Sequence, residues 1–311
     1  VGENMAGIKI TGYGHEHGEC SVSNEDLKRY VDTNDEWIQA KTGIKNRYFA
    51  KKLTNVDMAV SAAEKALKMQ EDDIKIDAVI VATFTPDNAA PSMAAEVAGR
   101  LGLDGETLCF DINGACAGFV FGLTVSNALL SKGYKRILLI GSEKIHPHLD
   151  MDDRKTCVLF GDAAGALILE QDKDGVCFNI AGLEANKEIL ECRGFGGKIQ
   201  MSGQEVYRFA VSKIPECVTK LLDSAKVSVD DVDMFIFHQA NLRIIESAAR
   251  KLKISEAKYF VDVEKYGNTS AASVAVAMSE CLEKGIIKSG DKIVAVGFGA
   301  GLSYGGIFMS I

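Results

Sequence analysis

The chain repeats itself, and that constrains its fold more than any other feature. Ile76-Asp-Ala-Val-Ile-Val81 returns as Val232-Asp-Met-Phe-Ile-Phe237, and Arg136-Ile-Leu-Leu-Ile-Gly141 returns as Lys292-Ile-Val-Ala-Val-Gly297. Positions 76 and 232, and positions 136 and 292, share one spacing of 156 residues. Between these pairs, Asn113-Gly-Ala-Cys-Ala-Gly-Phe-Val120 is answered by Asn268-Thr-Ser-Ala-Ala-Ser-Val-Ala275, one residue off that spacing. Each copy of this loop starts with Asn, passes through small residues and enters an apolar helical stretch. Three ordered matches at nearly one spacing point to a duplicated unit. The polar run Gln171-Asp-Lys-Asp-Gly175 reads as the turn between the halves, which divides the chain into 1–172 and 173–311.

Short runs of β-forming residues alternate with helical patterns. Residues 78–84, 137–140, 235–237 and 293–296 are nearly all apolar, as in strands covered on both faces. Residues 93–101, 119–131 and 244–252 carry helical periodicity. The expected class is layered α/β, with one sheet in each half.

The 311 residues carry 43 Asp and Glu against 35 Lys and Arg, a net charge of -8, which argues against broad binding to nucleic acid or anionic membranes. The longest mostly apolar stretch, 116–130, contains Thr124, Ser126 and Asn127 and is too short and polar for a membrane span. Met5 reads as the natural start, with no export segment after it. The eight cysteines include no Cys-x-x-Cys pair, so a reducing cytoplasm is expected, with most of these thiols packed as small hydrophobes.

Two residues stand where chemistry is plausible. Cys116 follows the strand-like run 108–112 and begins a helix among Gly114, Ala115, Ala117 and Gly118. The positive end of the helix dipole favours thiolate there, and small neighbours leave room for an incoming carbonyl. A buried structural cysteine is the other reading. His238 ends the apolar strand Met234-Phe-Ile-Phe237, on the strand end where α/β proteins place ligands, or else it is a hydrogen-bonded core histidine. Asn268 reads locally as a helix cap, yet by the repeat it opens the counterpart of the Cys116 loop. His15 and His17, and His146 and His148, lack metal-ligand spacing with a third ligand, so no metal is expected. The glycine-rich run 297–306 lacks the dinucleotide pattern; backbone N–H groups offered to an oxyanion are its better use.

Together these stretches resemble the β-ketoacyl-(acyl carrier protein) synthase III family, from about Gly7 to Ile311. The matching stretches are Asp32-Thr-Asn-Asp-Glu-Trp-Ile38 with Thr42-Gly-Ile44, Ala115-Cys-Ala-Gly-Phe119, Phe160-Gly-Asp-Ala-Ala-Gly165, His238-Gln-Ala-Asn-Leu-Arg243, Gly267-Asn-Thr-Ser-Ala-Ala-Ser273 and Gly297-Phe-Gly-Ala-Gly301. The resemblance implies a duplicated thiolase fold, two similar α/β halves in α-β-α-β-α layers. It implies a catalytic triad of Cys116, His238 and Asn268. Cys116 would take an acyl group from acyl-CoA. His238 and Asn268 would stabilise the enolate formed when malonyl-acyl carrier protein loses CO2. The product would be a 3-oxoacyl-acyl carrier protein that starts type II fatty-acid synthesis. A related thiolase-fold acyltransferase, or a condensing enzyme of secondary metabolism with another acceptor, is the alternative.

The resemblance further places the oxyanion on the N–H groups of Cys116 and Ala300, with Phe298 walling the site. It assigns CoA and pantetheine to Trp37, Lys41, Thr42, Arg154, Met201, Gly203, Tyr207, Ala240 and Asn241, the adenine lying between Trp37 and Arg154. Lys41, Lys155 and Gln204 depart from the family's usual Arg, Gly and Asn, and bear on CoA affinity. Ala90 stands where some members carry a Phe that reaches the partner's acyl pocket, so a roomier pocket is expected. The acidic carrier protein would dock on Arg208, Arg243, Arg250 and Lys251. A cytoplasmic homodimer without a cofactor is implied, acyl-CoA being a substrate.

Overall fold

The computed structural model describes residues 5–72, 75–103 and 105–311. Its first half contains β1 (Met5–His17), β2 (Cys20–Ser23), α1 (Asp35–Thr42), β3 (Asn46–Phe49), α2 (Asn55–Leu67), β4 (Ala78–Ala82), α3 (Met93–Arg100), β5 (Leu108–Ile112), α4 (Gly118–Leu130) and β6 (Arg136–Glu143). The long β7 (Ala163–Leu183) follows. Then come β8 (Leu190–Cys192), β9 (Ile199–Met201), α5 (Gly203–Ala225), β10 (Met234–Phe237), α6 (Leu242–Leu252), α7 (Val263–Tyr266), α8 (Ala272–Glu283), β11 (Lys292–Gly299) and β12 (Ser303–Ser310).

The repeat is structural. β4 runs parallel to β6, which runs antiparallel to β7; β10 runs parallel to β11, which runs antiparallel to β12. The strands and helices expected from periodicity all form, with small shifts at their ends. Two expectations are corrected. The halves do not keep separate sheets: one eight-stranded sheet runs β10-β11-β12-β7-β6-β4-β5, with β1 along β7. β7 pairs with β6 through Ala163–Glu170 and with β12 through Cys177–Leu183, so one strand serves both halves. Nor is 171–175 a turn. It lies inside β7 as a bulge, where adjacent Ala6 and Gly7 face Val176 and Asp172. Gly7 permits it, since a Cβ there would sit 2.7 Å from Gly175 backbone.

Layering follows from the sequence of the helices. α4 is apolar nearly all round, and every residue from Ala272 to Cys281 of α8 is buried. A helix without a polar face belongs in an interior. α4 packs against β6 and β12, α8 against β7, β6, β10 and β11, and the two helices touch each other. They form the central layer, with α2 and α3 covering one outer face and α5 and α6 the other. No helix among the described residues is long and apolar enough to cross a membrane.

Candidate active site

The two matched loops are built alike. Asn113 Oδ1 accepts from Ala115 N at 3.3 Å, and Asn268 Oδ1 accepts from Ser270 N at 2.9 Å. Ala115 (φ 45) and Ser270 (φ 51) then take the left-handed conformation, rare for residues with a Cβ and a form of strain concentrated at functional sites. Each loop next enters a central helix. Asn268 is therefore an Asx turn and not the cap of α8, whose N-cap is Ala271.

Each loop rests on the other half. A Cβ on Gly299, at the end of β11, would lie 2.9 Å from Cys116 N, and one on Gly141, in β6, would lie 2.5 Å from Ala271 O. These close approaches need glycine and bring Cys116, His238 and Asn268 onto one cavity of about 940 Å³.

Cys116 is buried (8% exposed) in the helical turn that leads into α4. Its position at a helix start is as expected, but the expected thiolate is not the resting form. Burial pushes the thiol up to about 12, a hydrogen bond with Ser270 pulls it down, and the charge of Glu143 pushes it up again. The helix dipole therefore acts on charge as it develops on sulfur.

His238 is 1% exposed, and burial lowers it to about 3, so the ring is neutral. Its Nδ1 lies 2.5 Å from Ser273 Oγ, and that oxygen accepts from Gln239 N at 3.4 Å. The Ser273 hydroxyl is thus the partner of Nδ1, which leaves Nε2 as the ring nitrogen open to a ligand. Phe298 stands edge-on to the ring at 5.0 Å and 67°. Asn268 turns its Oδ1 to the loop, so its amide N–H2 is the group left for a ligand.

All nine residues expected to contact CoA line this cavity, as do Phe298 and Ala300. Arg154 Cζ lies 4.6 Å from the centre of the Trp37 ring, and its Nη1 donates to Asp32 O at 2.8 Å. Two more of the nine are already engaged. Thr42 Oγ1 donates to Ile38 O at 2.7 Å, and Asn241 caps α6 through Arg243 N at 2.8 Å while its amide donates to Lys41 O at 3.1 Å. Ala90 is exposed and lies outside the cavity wall. Arg208, Arg243, Arg250 and Lys251 are exposed on α5 and α6 and do not line the cavity. No group of three or more metal-ligating side chains occurs among the described residues.

Residues 110–185 match the family described as 3-oxoacyl-[acyl-carrier-protein] synthase III, and residues 222–311 match that family's C-terminal domain. The β-ketoacyl-[acyl-carrier-protein] synthase III of Rickettsia massiliae is 44% identical over 97% of this chain and 98% of its own length. That of Fusobacterium nucleatum is 41% identical over 97% and 98%. This chain belongs to the synthase III family. The crystal structure of the Aquifex aeolicus synthase III superposes with a TM-score of 0.94 at 38% identity, covering 98% of this chain and all of that one. A priming β-ketosynthase of the R1128 polyketide pathway superposes at 0.93 with 31% identity, covering 98% of this chain and 97% of that one. These likenesses establish the duplicated thiolase fold and a condensing acyltransferase.

In this synthase III chain, sequence reasoning missed Ser270, Ser273 and Glu143. Glu143 is fully buried, and its carboxylate accepts from Thr85 Oγ1 (2.5 Å), Thr83 Oγ1 (3.1 Å), Thr85 N (3.2 Å), Phe84 N (3.2 Å) and Ser270 Oγ (3.1 Å). Burial lifts it to about 7 against these hydrogen bonds. The signal was available: a charged residue ends an apolar strand at Glu143 as His238 does at the end of β10.

Proposed function

We infer that this chain condenses an acyl-CoA primer with malonyl-acyl carrier protein, releasing CO2 and CoA and giving the 3-oxoacyl-acyl carrier protein that starts fatty-acid synthesis. The observation that carries this reading is that one cavity is lined by Cys116, His238 and Asn268 and also by the Trp37–Arg154 pair. Cys116 attacks the thioester carbonyl and becomes the acyl carrier, which divides one hard step into two. The N–H groups of Cys116 and Ala300 hold the tetrahedral oxyanion. After CoA leaves, Nε2–H of His238 and the amide of Asn268 donate to the malonyl thioester oxygen, so the electrons freed by departing CO2 rest on a stabilised enolate. Its carbon attacks the acyl-cysteine, with Phe298 excluding water beside His238.

Trp37, Lys41, Thr42, Arg154, Met201, Gly203, Tyr207, Ala240 and Asn241 take CoA and pantetheine. For the adenine to lie between Trp37 and Arg154, the guanidinium must lift off the ring it now covers. Incubation with acetyl-CoA should add an acetyl mass on Cys116, and malonyl-acyl carrier protein should then discharge it with CO2 release. An unmodified Cys116 would end this reading. A role in secondary metabolism draws on the likeness to the polyketide priming enzyme; rescue of a fatty-acid-synthesis mutant by this chain separates the two.

The chain works as a homodimer joined at β5. This strand ends the sheet, its outer edge is unpaired among the described residues, and Leu108 is 39% exposed there. Ala90 then leaves the partner's acyl pocket roomy. Ala90→Phe should cut kcat/KM for branched primers more than for acetyl-CoA, and equal ratios would reject this. Arg208, Arg243, Arg250 and Lys251 dock the acidic carrier; Arg250→Glu should raise KM for the carrier but not for acyl-CoA.

A further inference from the structure

Phe84, Phe160, Leu190 and Ile199 line the cavity and belong to one apolar cluster, and two polar side chains, His148 and Cys192, line it beside them. Phe84 N donates to Glu143, whose carboxylate also accepts from Ser270, so this wall is tied to the reacting centre. In the β8–β9 pair Leu190 lies opposite Met201 and Cys192 opposite Ile199, so Cys192 sits at the end of the ladder away from Met201. The Phe84 and His148 rings are 6.3 Å apart. The Cys192 thiol donates to Gly197 O at 3.4 Å and lies 3.6 Å from His148 Nδ1, which itself stands 2.9 Å from that same oxygen. A carbonyl oxygen only accepts, so Nδ1 bears the hydrogen of this contact. Lys198 Nζ donates to Pro147 O and to Leu149 O, each at 2.9 Å, and so grips the backbone on both sides of His148. His148 Nε2 is left with no hydrogen bond among the described residues.

We propose that His148 makes this cavity selective for primers whose short acyl chain carries a hydroxyl, with Nε2 as the partner of that hydroxyl. The proposal rests on the acyl-cysteine reading above and names a substrate class for it. An alkyl chain on this wall packs against Phe84, Leu190 and Ile199 but strips water from Nε2 and returns nothing. The ring cannot satisfy Nε2 by turning, because Nδ1 is held on Gly197 O and the backbone by Lys198. A hydroxyl gives Nε2 a hydrogen to accept. It also serves a protonated ring, since its oxygen accepts from Nε2–H, whereas a carboxylate would serve that form alone. A site built around such a bond discriminates well, because an analogue without the hydroxyl leaves the site's own polar group unpaired.

The test pairs primers that differ by a hydroxyl against a methyl: 3-hydroxybutyryl-CoA with isovaleryl-CoA, and 4-hydroxybutyryl-CoA with pentanoyl-CoA. The members of a pair match in size, so the ratio of their kcat/KM values for acylation of Cys116, read by peptide mass, isolates the hydrogen bond. In wild type at least one pair should favour its hydroxyl member by about tenfold. His148→Leu should remove that preference, and His148→Gln, which keeps a hydrogen-bonding side chain, should retain part of it. A merely structural role would slow both members of a pair and leave their ratio unchanged. Absence of a hydroxyl preference from both wild-type pairs overturns the proposal, with no variant needed. A preference that survives in folded His148→Leu overturns it as well. Both results leave the acyl-cysteine reading standing if acetyl-CoA still acylates Cys116; no adduct from any of these CoA esters refutes that reading instead.

Discussion

Replacing Ser273 with alanine tests whether the ring of His238 is set by its neighbour. Ser273 Oγ is the partner recorded for Nδ1, at 2.5 Å, in a side chain only 1% exposed. The backbone of His238 is fixed separately, its N–H donating to Val296 O at 2.8 Å, so the substitution changes the ring and not the strand. Without the hydroxyl, a buried nitrogen loses its partner, which costs about 1–3 kcal/mol. The ring is then free to turn and to carry its proton on either nitrogen, so Nε2 is no longer held as a donor. It can no longer stabilise the enolate oxygen. If the full cost falls on the transition state, decarboxylation slows about 5- to 150-fold, since 1.36 kcal/mol is tenfold in rate. The assay is CO2 release from malonyl-acyl carrier protein, with 15N histidine spectra reporting which ring nitrogen bears the proton. Acylation of Cys116 should fall less than decarboxylation. A Ser273→Ala variant with wild-type decarboxylation and an unchanged Nε2–H signature would refute the reasoning.

Gly299→Ala puts a Cβ 2.9 Å from Cys116 N and 3.0 Å from Cys116 Cβ, against backbone that cannot swing aside. Overpacking of this kind costs about 1–3 kcal/mol, so Tm should drop and Cys116 acylation with it; an unchanged acylation rate would show that β11 does not seat the loop. Trp37→Ala removes a stacking face worth about 1–3 kcal/mol and should raise KM for acyl-CoA with little change in kcat. Leu108→Lys places a charge on the exposed edge of β5 and should shift the sizing profile from dimer to monomer. Stability should also carry the mark of His238. Its pKa is depressed in the fold, so below the ordinary 6.5 the unfolded chain binds a proton that the folded chain refuses until about pH 3. Its contribution is complete above 6.5 and lost as pH falls through that window. Glu143, raised from 4.5 to about 7, works the other way as pH rises between those values. A His238→Gln variant should have a shallower loss of Tm between pH 6.5 and 3, and identical slopes would contradict the burial argument.

Periodicity and repetition made the elements legible. Apolar runs such as 137–140 and 293–296 can be nothing but covered strands, and the all-apolar α4 had to lie inside. The matched loops at Asn113 and Asn268 announced a pseudo-symmetric pair before any coordinate did, and the local pattern around Cys116 and His238 marked both as possible chemistry. The structure adds that both line one cavity with Asn268.

The sequence by itself showed the duplicated α/β plan and the likeness to the family that implies the proposed triad, because both are written in local order and spacing. Only the tertiary structure decided that β7 joins both halves, that the Cys116 thiol rests protonated, and that Ser270, Ser273 and Glu143 stand behind the triad. Strand pairing, burial and a hydrogen bond between residues 143 and 270 arise from distances across the fold. A pKa depends on every neighbour that displaces water, and those neighbours are gathered by packing, not by position in the chain.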